Sequence, residues 1–255
     1  MNIKKGLMIG LAALGFSMSA NAVNVGGVVW DPDSLFDWTS VTSLVEDQLN
    51  LTPGPDFVDT LTGFGRVTTF NGESPASFCP SGCELTFEFG GFQVDTTNII
   101  NDVSGTHLGF NGGWIDFYVD HSADFDSNDH SSSVDGNLWL RLEAHEVFNA
   151  FMGDTYSIVA ELTSFGAGSD AGEGKSLMDV AGGLAAGNFD TDGKADGADM
   201  VFTSEFQPLP NGGTTADGYE LVGSATLSGN SIPEPTSIAL IGLGLLGFAA
   251  RRRKA

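Results

Sequence analysis

An acidic segment between residues 188 and 199 carries oxygen-bearing side chains at the spacing of a calcium-binding loop. These side chains stand at positions 1, 3, 5, 9 and 12 of the segment, and Gly193 occupies position 6, where such a loop must turn sharply. Calcium takes about six to eight oxygen ligands from carboxylates, carbonyls and water. The residues predicted to bind calcium are Asn188, Asp190, Asp192, Lys194 through its backbone carbonyl, Asp196 and Asp199.

This segment resembles the dockerin variant of the EF-hand loop, which carries Asp rather than Glu at its last position. The resemblance implies a calcium ion held by the loop. The sequence departs from dockerins after the loop, because residues 200–206 have a strand-like pattern where dockerins have a helix, and no second copy follows. An acidic, glycine-rich hairpin connection without a cation is the alternative interpretation.

A second acidic segment, from Asp120 to His130, alternates oxygen-bearing side chains but has no glycine at a turn position. We interpret this segment as a solvated loop. Acidic residues are frequent throughout the chain, so alternation alone does not indicate a metal site.

The sequence contains no recognisable catalytic motif. None of the four histidines, His107, His121, His130 and His145, stands in a His-Glu-x-x-His arrangement. No nucleophile elbow, Walker loop or dinucleotide fingerprint is present. Paired carboxylates are the catalytic groups of glycosidases, but no pair stands out among so many acids. We therefore predict a protein that is not an enzyme, with a polysaccharide-active hydrolase or lyase as the alternative.

Strand-like alternation with a period of two runs through the body of the chain. Apolar and polar residues alternate across Leu85, Phe87 and Phe89, and Gly- and Asn-rich turns separate such runs. The pattern predicts an all-β body, an antiparallel β-sandwich or jelly-roll-like single domain over residues 23–231. Residues 43–49 and 175–186 have some helical potential. The other alternating runs lie at residues 115–119, 138–142, 156–162, 200–204 and 219–225.

Tryptophan side chains offer a possible contact surface for sugars. By alternation, Trp139 points away from Leu138 and Leu140, which makes it a candidate for exposure and for stacking on a sugar ring. A second layer packed on that face would bury it instead. We interpret the remaining strand aromatics as core.

The two cysteines, Cys79 and Cys83, are separated by a Pro-Ser-Gly turn. An exported protein meets an oxidising compartment, where a disulfide is the expected state of such a pair. The loop that this disulfide closes is small, so we expect it to hold a turn and to stabilise the fold modestly.

The N-terminus has the three parts of a secretory signal peptide over residues 1–22. Lys4 and Lys5 precede an apolar run, and small residues at Ala20 and Ala22 suit signal peptidase, so we expect cleavage after Ala22. The apolar run is shorter than the roughly 20 residues of a spanning helix.

The C-terminus carries a second targeting device over residues 232–255. A Pro-Glu-Pro triplet precedes an apolar run and a basic stop, which predicts a transmembrane helix with its basic end in the cytoplasm. A helix over residues 236–250 measures about 22 Å, against about 30 Å for a hydrocarbon core, so snorkelling and local thinning must cover the difference. The motif residues are Pro233, Glu234, Pro235, Arg251, Arg252 and Arg253.

This tail resembles the PEP-CTERM sorting signal of exosortase substrates in Gram-negative bacteria. The resemblance implies transient insertion in the inner membrane, processing by exosortase near the Pro-Glu-Pro triplet, and a final place on the cell surface or in the extracellular matrix. Proteins with this signal are associated with exopolysaccharide production, biofilm and floc formation. The resemblance thus bears on destination more than on activity.

The body between the two signals is strongly acidic. Residues 23–232 contain four basic side chains against 32 of the 33 acids, a formal net charge of −28. Such a surface repels nucleic acid, whose binding depends on basic side chains, and favours cations and neutral or cation-bridged glycans. We therefore expect an exported, non-enzymatic structural or glycan-associated protein of the matrix, with calcium as a possible ligand, exopolysaccharide as a possible partner and no nucleic-acid partner.

Overall fold

The computed structural model describes residues 22–32, 39–46, 60–164 and 171–232. Residues 1–21 of the predicted signal peptide and the sorting segment from Pro233 onward lie outside the described residues, as does Trp38.

Strands dominate the described residues. Two short α-helices, α1 and α2, occupy Pro75–Phe78 and Ala186–Phe189, and 3₁₀ turns occupy His130–Ser133, Ala195–Gly197 and Pro210–Gly212. The strands are β1 Val23–Val25, β2 Val28–Trp30, β3 Thr39–Glu46, β4 Thr60–Phe70, β5 Glu84–Val94, β6 Ile100–Asn101, β7 Thr106–Asn111, β8 Trp114–Asp120, β9 Asn137–His145, β10 Val147–Asn149, β11 Asp154–Tyr156, β12 Ile158–Ser164, β13 Ala171–Gly182, β14 Met200–Pro208 and β15 Leu221–Gly229.

One large antiparallel sheet closes on itself. Its hydrogen-bonded order is β14-β15-β3-β4-β5-β8-β9-β13-β12-β7-β6, and β13 pairs back with β14, which makes a ring of eight strands. The long strands β5 and β13 join the ring to a side branch, because β7 pairs with the end of β5 and β12 pairs with the start of β13. The all-β prediction is confirmed, whereas the pairing describes a closed sheet and not the predicted sandwich or jelly roll.

The alternation predicted for β5 points its large apolar side chains into the ring. Leu85, Phe87 and Phe89 are buried, and the rings of Phe87 and Phe117 on neighbouring β8 lie 5.6 Å apart. On the other side of β5, the positions opposite Phe87 and Phe89 on β4 are both glycines, which leave room for these rings. Each fully buried side chain of this size stabilises the fold by about 1.5 to 3 kcal/mol.

The N-terminal hairpin β1–β2 covers an aromatic cluster that includes Trp139. Of the two alternatives for Trp139, burial holds, since its exposed fraction is 0% and its indole N–H donates to the carbonyl of Val25 at 2.9 Å. The register of the β8–β9 pairing shifts here, from Phe117 opposite Leu140 to Tyr118 opposite Leu138, so Trp139 lies in an irregularity of the ladder. Its ring packs against Trp30 of the hairpin and Phe189 of α2, so the second layer that buries it is the hairpin.

The helical potential of residues 175–186 is realised only at its end. Most of this stretch belongs to β13, which continues to Gly182, and α2 begins at Ala186. Hydrogen bonds to neighbouring strands on both edges override the weak local preference. Residues 43–46 of the other helical candidate belong to β3.

Cys79 and Cys83 lie in the turn between β4 and β5, directly after α1. Their sulfur atoms are at disulfide distance, 2.02 Å, and both residues are buried. Gly82 adopts φ 83°, a conformation that favours glycine, and so allows the turn between the two cysteines.

Candidate functional site

The 190–199 loop connects α2 to β14 and is built around the carboxylate of Asp199. Asp199 is 3% exposed. Its Oδ1 accepts hydrogen bonds from the backbone N–H groups of Thr191 at 2.5 Å and Asp192 at 2.7 Å, and its Oδ2 accepts one from Val180 at 2.8 Å. Hydrogen bonds to a charged acceptor are roughly twice as strong as neutral ones. Asp199 therefore holds the loop against the end of β13.

The structure brings together three of the predicted calcium ligands. Carboxylate oxygens of Asp190, Asp192 and Asp199 lie within 4.8 Å of one another, with the first two residues exposed. Asp196 is not in this group and lies in the 3₁₀ turn with φ 55°. The sharp turn expected at Gly193 falls one residue earlier, because Asp192 adopts φ 49° while Gly193 has no positive φ.

The other two predicted ligands have partners at the C-terminal end of the body. The carbonyl of Asn188 accepts a hydrogen bond from the backbone N–H of Ile232 at 2.7 Å. The Lys194 ammonium donates to Oδ1 of Asn230 at 3.1 Å. The strand expected after the loop is present as β14, which begins at Met200. The segment thus connects α2 to the strand β14, and the second helix of an EF-hand does not follow it.

The acidic loop can supply only part of a calcium coordination sphere. A carboxylate has about four lone-pair sites, and backbone N–H groups already use three of those on Asp199. Asp190 and Asp192 project into solvent and are free to turn toward a cation. Since calcium takes about six to eight oxygens, water would complete the shell, and the affinity would fall in the range of about 0.1 to 1 mM found for extracellular modules.

A second acidic group forms where the 120–130 loop meets the start of β5. Carboxylate oxygens of Glu84, Asp120 and Asp124 lie within 4.8 Å of one another. Glu84 accepts the backbone N–H groups of Asp124 and Phe125, both at 2.9 Å. Burial raises the pKa of Glu84 against the opposing effect of these hydrogen bonds. Sequence reasoning missed this group because Glu84 is 40 residues away and stands in a strand.

A row of charged side chains crosses the outer face of β5, β8 and β9. Glu88, Asp116 and Arg141 occupy directly opposed positions on the three strands. The Tyr118 hydroxyl donates to Glu88 at 2.8 Å, and an Arg141 nitrogen lies 3.5 Å from Oδ2 of Asp116. Burial raises the pKa of Asp116, although the Arg141 charge opposes that rise. Oδ1 of Asp116 is buried and has no hydrogen-bond partner among the described residues.

A polar groove lies on the outer face of the sheet where β7, β12, β13, β14 and β15 run side by side. Glu161, Glu173 and Glu205 occupy one cross-strand row, with His107 at one end and Ser224 at the other. Like charges directly opposite each other destabilise a sheet. The groove has a volume of about 510 Å³, and its other lining side chains include Lys175, Thr203 and Thr226.

Among the described residues, the exposed phenylalanines lie on the β10–β11 hairpin, which meets this groove through Phe151. Phe148 is 63% and Phe151 is 55% exposed. The rings of Phe151 and His107 lie 4.8 Å apart, which places Phe151 at the His107 end of the groove. Sequence patterns did not identify these two residues, because a short hairpin offers no alternation long enough to separate its two faces.

His107 also lies beside Asp102 and Ser104, but the three do not form a catalytic relay. Ser104 Oγ at 3.1 Å and Asp102 Oδ1 at 3.3 Å both approach the same ring nitrogen, Nε2. A relay needs the serine and the carboxylate on different nitrogens. Hydrogen bonds from Ser104 lower the pKa of Asp102 to about 2. These contacts fix the turn before β7.

Comparison with known proteins identifies the tail. A family profile for the PEP-CTERM protein-sorting motif matches residues 231–254, which confirms the resemblance found in the sequence. The motif implies an exported protein that is processed by exosortase and is anchored at the membrane before that step. No curated protein and no solved structure matches the chain.

No helix within the described ranges has the length and apolar composition needed to cross a membrane. The predicted spanning helix at residues 236–250 lies outside those ranges.

Proposed function

We propose that this protein is a non-enzymatic component of the bacterial cell surface or extracellular matrix that associates with exopolysaccharide. The observation that carries the proposal is the polar groove that meets exposed Phe151, with exposed Phe148 on the same hairpin, in a chain that also carries a PEP-CTERM motif. Signal peptidase and exosortase would release the body outside the inner membrane, where exopolysaccharide of a biofilm or floc would be its partner.

The groove and its aromatic edge have the chemistry that recognises a sugar chain. Carboxylates such as Glu173 and Glu205 accept hydrogen bonds from sugar hydroxyls, and Thr203 and Ser224 both donate and accept them. The exposed rings of Phe148 and Phe151 offer apolar faces for pyranose rings. Neutral or amine-bearing polymers would bind directly, whereas anionic polymers would need bridging cations, because the body carries a formal net charge of −28.

Calcium at the 190–199 loop is the second part of the proposal. The convergence of the Asp190, Asp192 and Asp199 carboxylates supports it. The hydroxyl of Thr191 in the same loop is buried and lacks a hydrogen-bond partner among the described residues.

If calcium binds at the 190–199 loop, 10 mM calcium at a dissociation constant of about 1 mM would stabilise the fold by about 1.4 kcal/mol through mass action. Asp190→Asn with Asp192→Asn should remove the rise in melting temperature, and an unchanged melt in the unmutated protein would end the calcium proposal.

Affinity electrophoresis in gels containing purified exopolysaccharide tests the glycan surface. The Phe148→Ala/Phe151→Ala and Glu173→Gln/Glu205→Gln variants should each lose most of the retardation. A matched control, Asp154→Asn, changes an exposed acid of the same hairpin that does not line the groove. If both double variants are retarded as much as Asp154→Asn, the groove and the two phenylalanines are not the glycan-binding surface.

A polysaccharide-active hydrolase or lyase is the second candidate. The observation that favours it is the direct opposition of Glu88 and Asp116, two carboxyl groups of which Asp116 has a raised pKa. A raised pKa suits a general acid in glycoside cleavage. This candidate requires oligosaccharide release that Glu88→Gln and Asp116→Asn each abolish. Absence of release from native exopolysaccharide would reject it.

A further inference from the structure

The last described residues of the body are fastened to the acidic loop. The N–H of Ile232 donates to the carbonyl of Asn188 at 2.7 Å, although the Ile232 side chain is 41% exposed. Two residues earlier, Asn230 accepts a hydrogen bond from the Lys194 ammonium at 3.1 Å. We call these two hydrogen bonds the C-terminal clasp.

The clasp rests on a rigid part of the fold. Asn230 packs against Gly193, since a Cβ added at Gly193 would lie 2.9 Å from the Asn230 amide nitrogen. The loop that carries Gly193 and Lys194 is held by Asp199, whose carboxylate is buried and bonded to three N–H groups. Asn230 follows directly after β15, which pairs with β14 along its whole length. The clasp therefore ties the chain to the body up to Ile232.

The Pro-Glu-Pro triplet of the sorting motif begins one residue later. Pro233 follows Ile232 in the sequence, so the peptide bonds near the Pro-Glu-Pro triplet are a few residues from a fixed anchor. Proteases cleave segments that are locally unfolded, and the rate follows the population of the open form when opening is fast. A protease that binds residues on both sides of its cleavage site would need Asn230 to Ile232 to leave the body.

We propose that the C-terminal clasp restrains exosortase processing, so that release of Ile232 and Asn230 from the 188–194 segment sets the rate at which the sorting signal is removed. Asn188, Lys194 and Asn230 are then positioning residues for this step. Folding of the body would form the clasp. The clasp shares with the proposed function only the processing by exosortase, and its two hydrogen bonds need neither calcium nor glycan, so it can fail while glycan and calcium binding hold, and the reverse.

Pulse-chase conversion of full-length protein to the processed form, followed by immunoblot in the producing bacterium, tests this proposal. Ile232→Pro removes the N–H that donates to Asn188, and Asn230→Ala removes the acceptor of Lys194. Each should accelerate conversion about three- to tenfold, since losing one hydrogen bond of about 0.7 to 1.4 kcal/mol raises the open population by that factor.

Ile232→Ala is the matched control, because it changes the side chain next to the motif but keeps the N–H. It should convert at the unmutated rate. Lys194→Ala should match Asn230→Ala, and the double variant should be no faster than either single variant, because both remove the same bond. Unchanged or slower conversion in Ile232→Pro and Asn230→Ala, or equal acceleration by Ile232→Ala, would overturn the proposal. The melting temperature of each variant checks that the effect is local.

Discussion

Asp199 joins the acidic loop to the sheet, and Asp199→Asn is a nearly isosteric replacement that tests this role. The carboxylate accepts two N–H groups at Oδ1 and one at Oδ2. The side-chain oxygen of an asparagine can still accept the hydrogen bonds from the N–H groups of Thr191 and Asp192. Its amide nitrogen would then face the N–H of Val180, and because both groups are donors no hydrogen bond would form. The substitution therefore removes one charge-assisted hydrogen bond and weakens two others.

The expected loss follows from the number of bonds. A hydrogen bond to a charged group contributes about 1.5 to 3 kcal/mol, and a buried donor left without a partner costs about 1 to 3 kcal/mol. We expect Asp199→Asn to lower the free energy of unfolding by about 3 kcal/mol. For a body of this size that corresponds to a fall in melting temperature of about 6 to 12 °C.

Urea unfolding of the body without calcium measures this change, and Asp196→Asn is the matched control. Asp196 is an exposed acid of the same loop outside the carboxylate group around Asp199, so its substitution should change stability by less than about 0.5 kcal/mol. Equal, small effects of the two substitutions would refute the view that Asp199 holds the loop.

Three further predictions concern single groups. Because the pKa of Asp116 is raised in the folded state, the folded protein binds this proton more tightly than the unfolded protein, and the free energy of unfolding falls as pH rises from the unfolded pKa to the raised one. The urea midpoint of Asp116→Asn should therefore fall less than that of the unmutated protein between about pH 4 and pH 7, and equal falls would contradict this role of Asp116. Ser104→Ala should raise the pKa of Asp102 from about 2 toward 3.8, and a carboxyl NMR titration with no shift would contradict that assignment. Replacing both Cys79 and Cys83 by Ser should lower the free energy of unfolding by about 2 kcal/mol, because so short a loop restricts the unfolded chain little; a loss above about 4 kcal/mol in urea unfolding would show another role.

Local periodicity was enough to predict five of the eight ring strands, β5, β8, β9, β14 and β15, but not β3, β4 or β13. The inward side chains of β5 follow from alternation at Leu85, Phe87 and Phe89, since a period of two is a property of the strand itself. The closure of the sheet was not predictable in the same way. It depends on β13 being long enough to pair with β14 on one edge and with two strands on the other, and alternation looks the same in a sandwich and in a ring.

The same difference between local sequence patterns and long-range contacts decides which site residues were predictable. The grouping of Asp190, Asp192 and Asp199 was predictable because all three lie within one short loop. The role of Trp139 was not, because a pairing irregularity and a distant hairpin bury it. Glu84 likewise joins its acidic group through contacts with a loop 40 residues away, which no local pattern records.

The central claim, a matrix protein that binds exopolysaccharide without cleaving it, is tested most directly by co-sedimentation. The body, residues 23–232, is mixed with exopolysaccharide from the producing bacterium, with calcium or with chelator, and the supernatant is assayed for released sugars. We predict pelleting that calcium strengthens and no release of sugar. Release of oligosaccharides, or no pelleting under either condition, would contradict the claim.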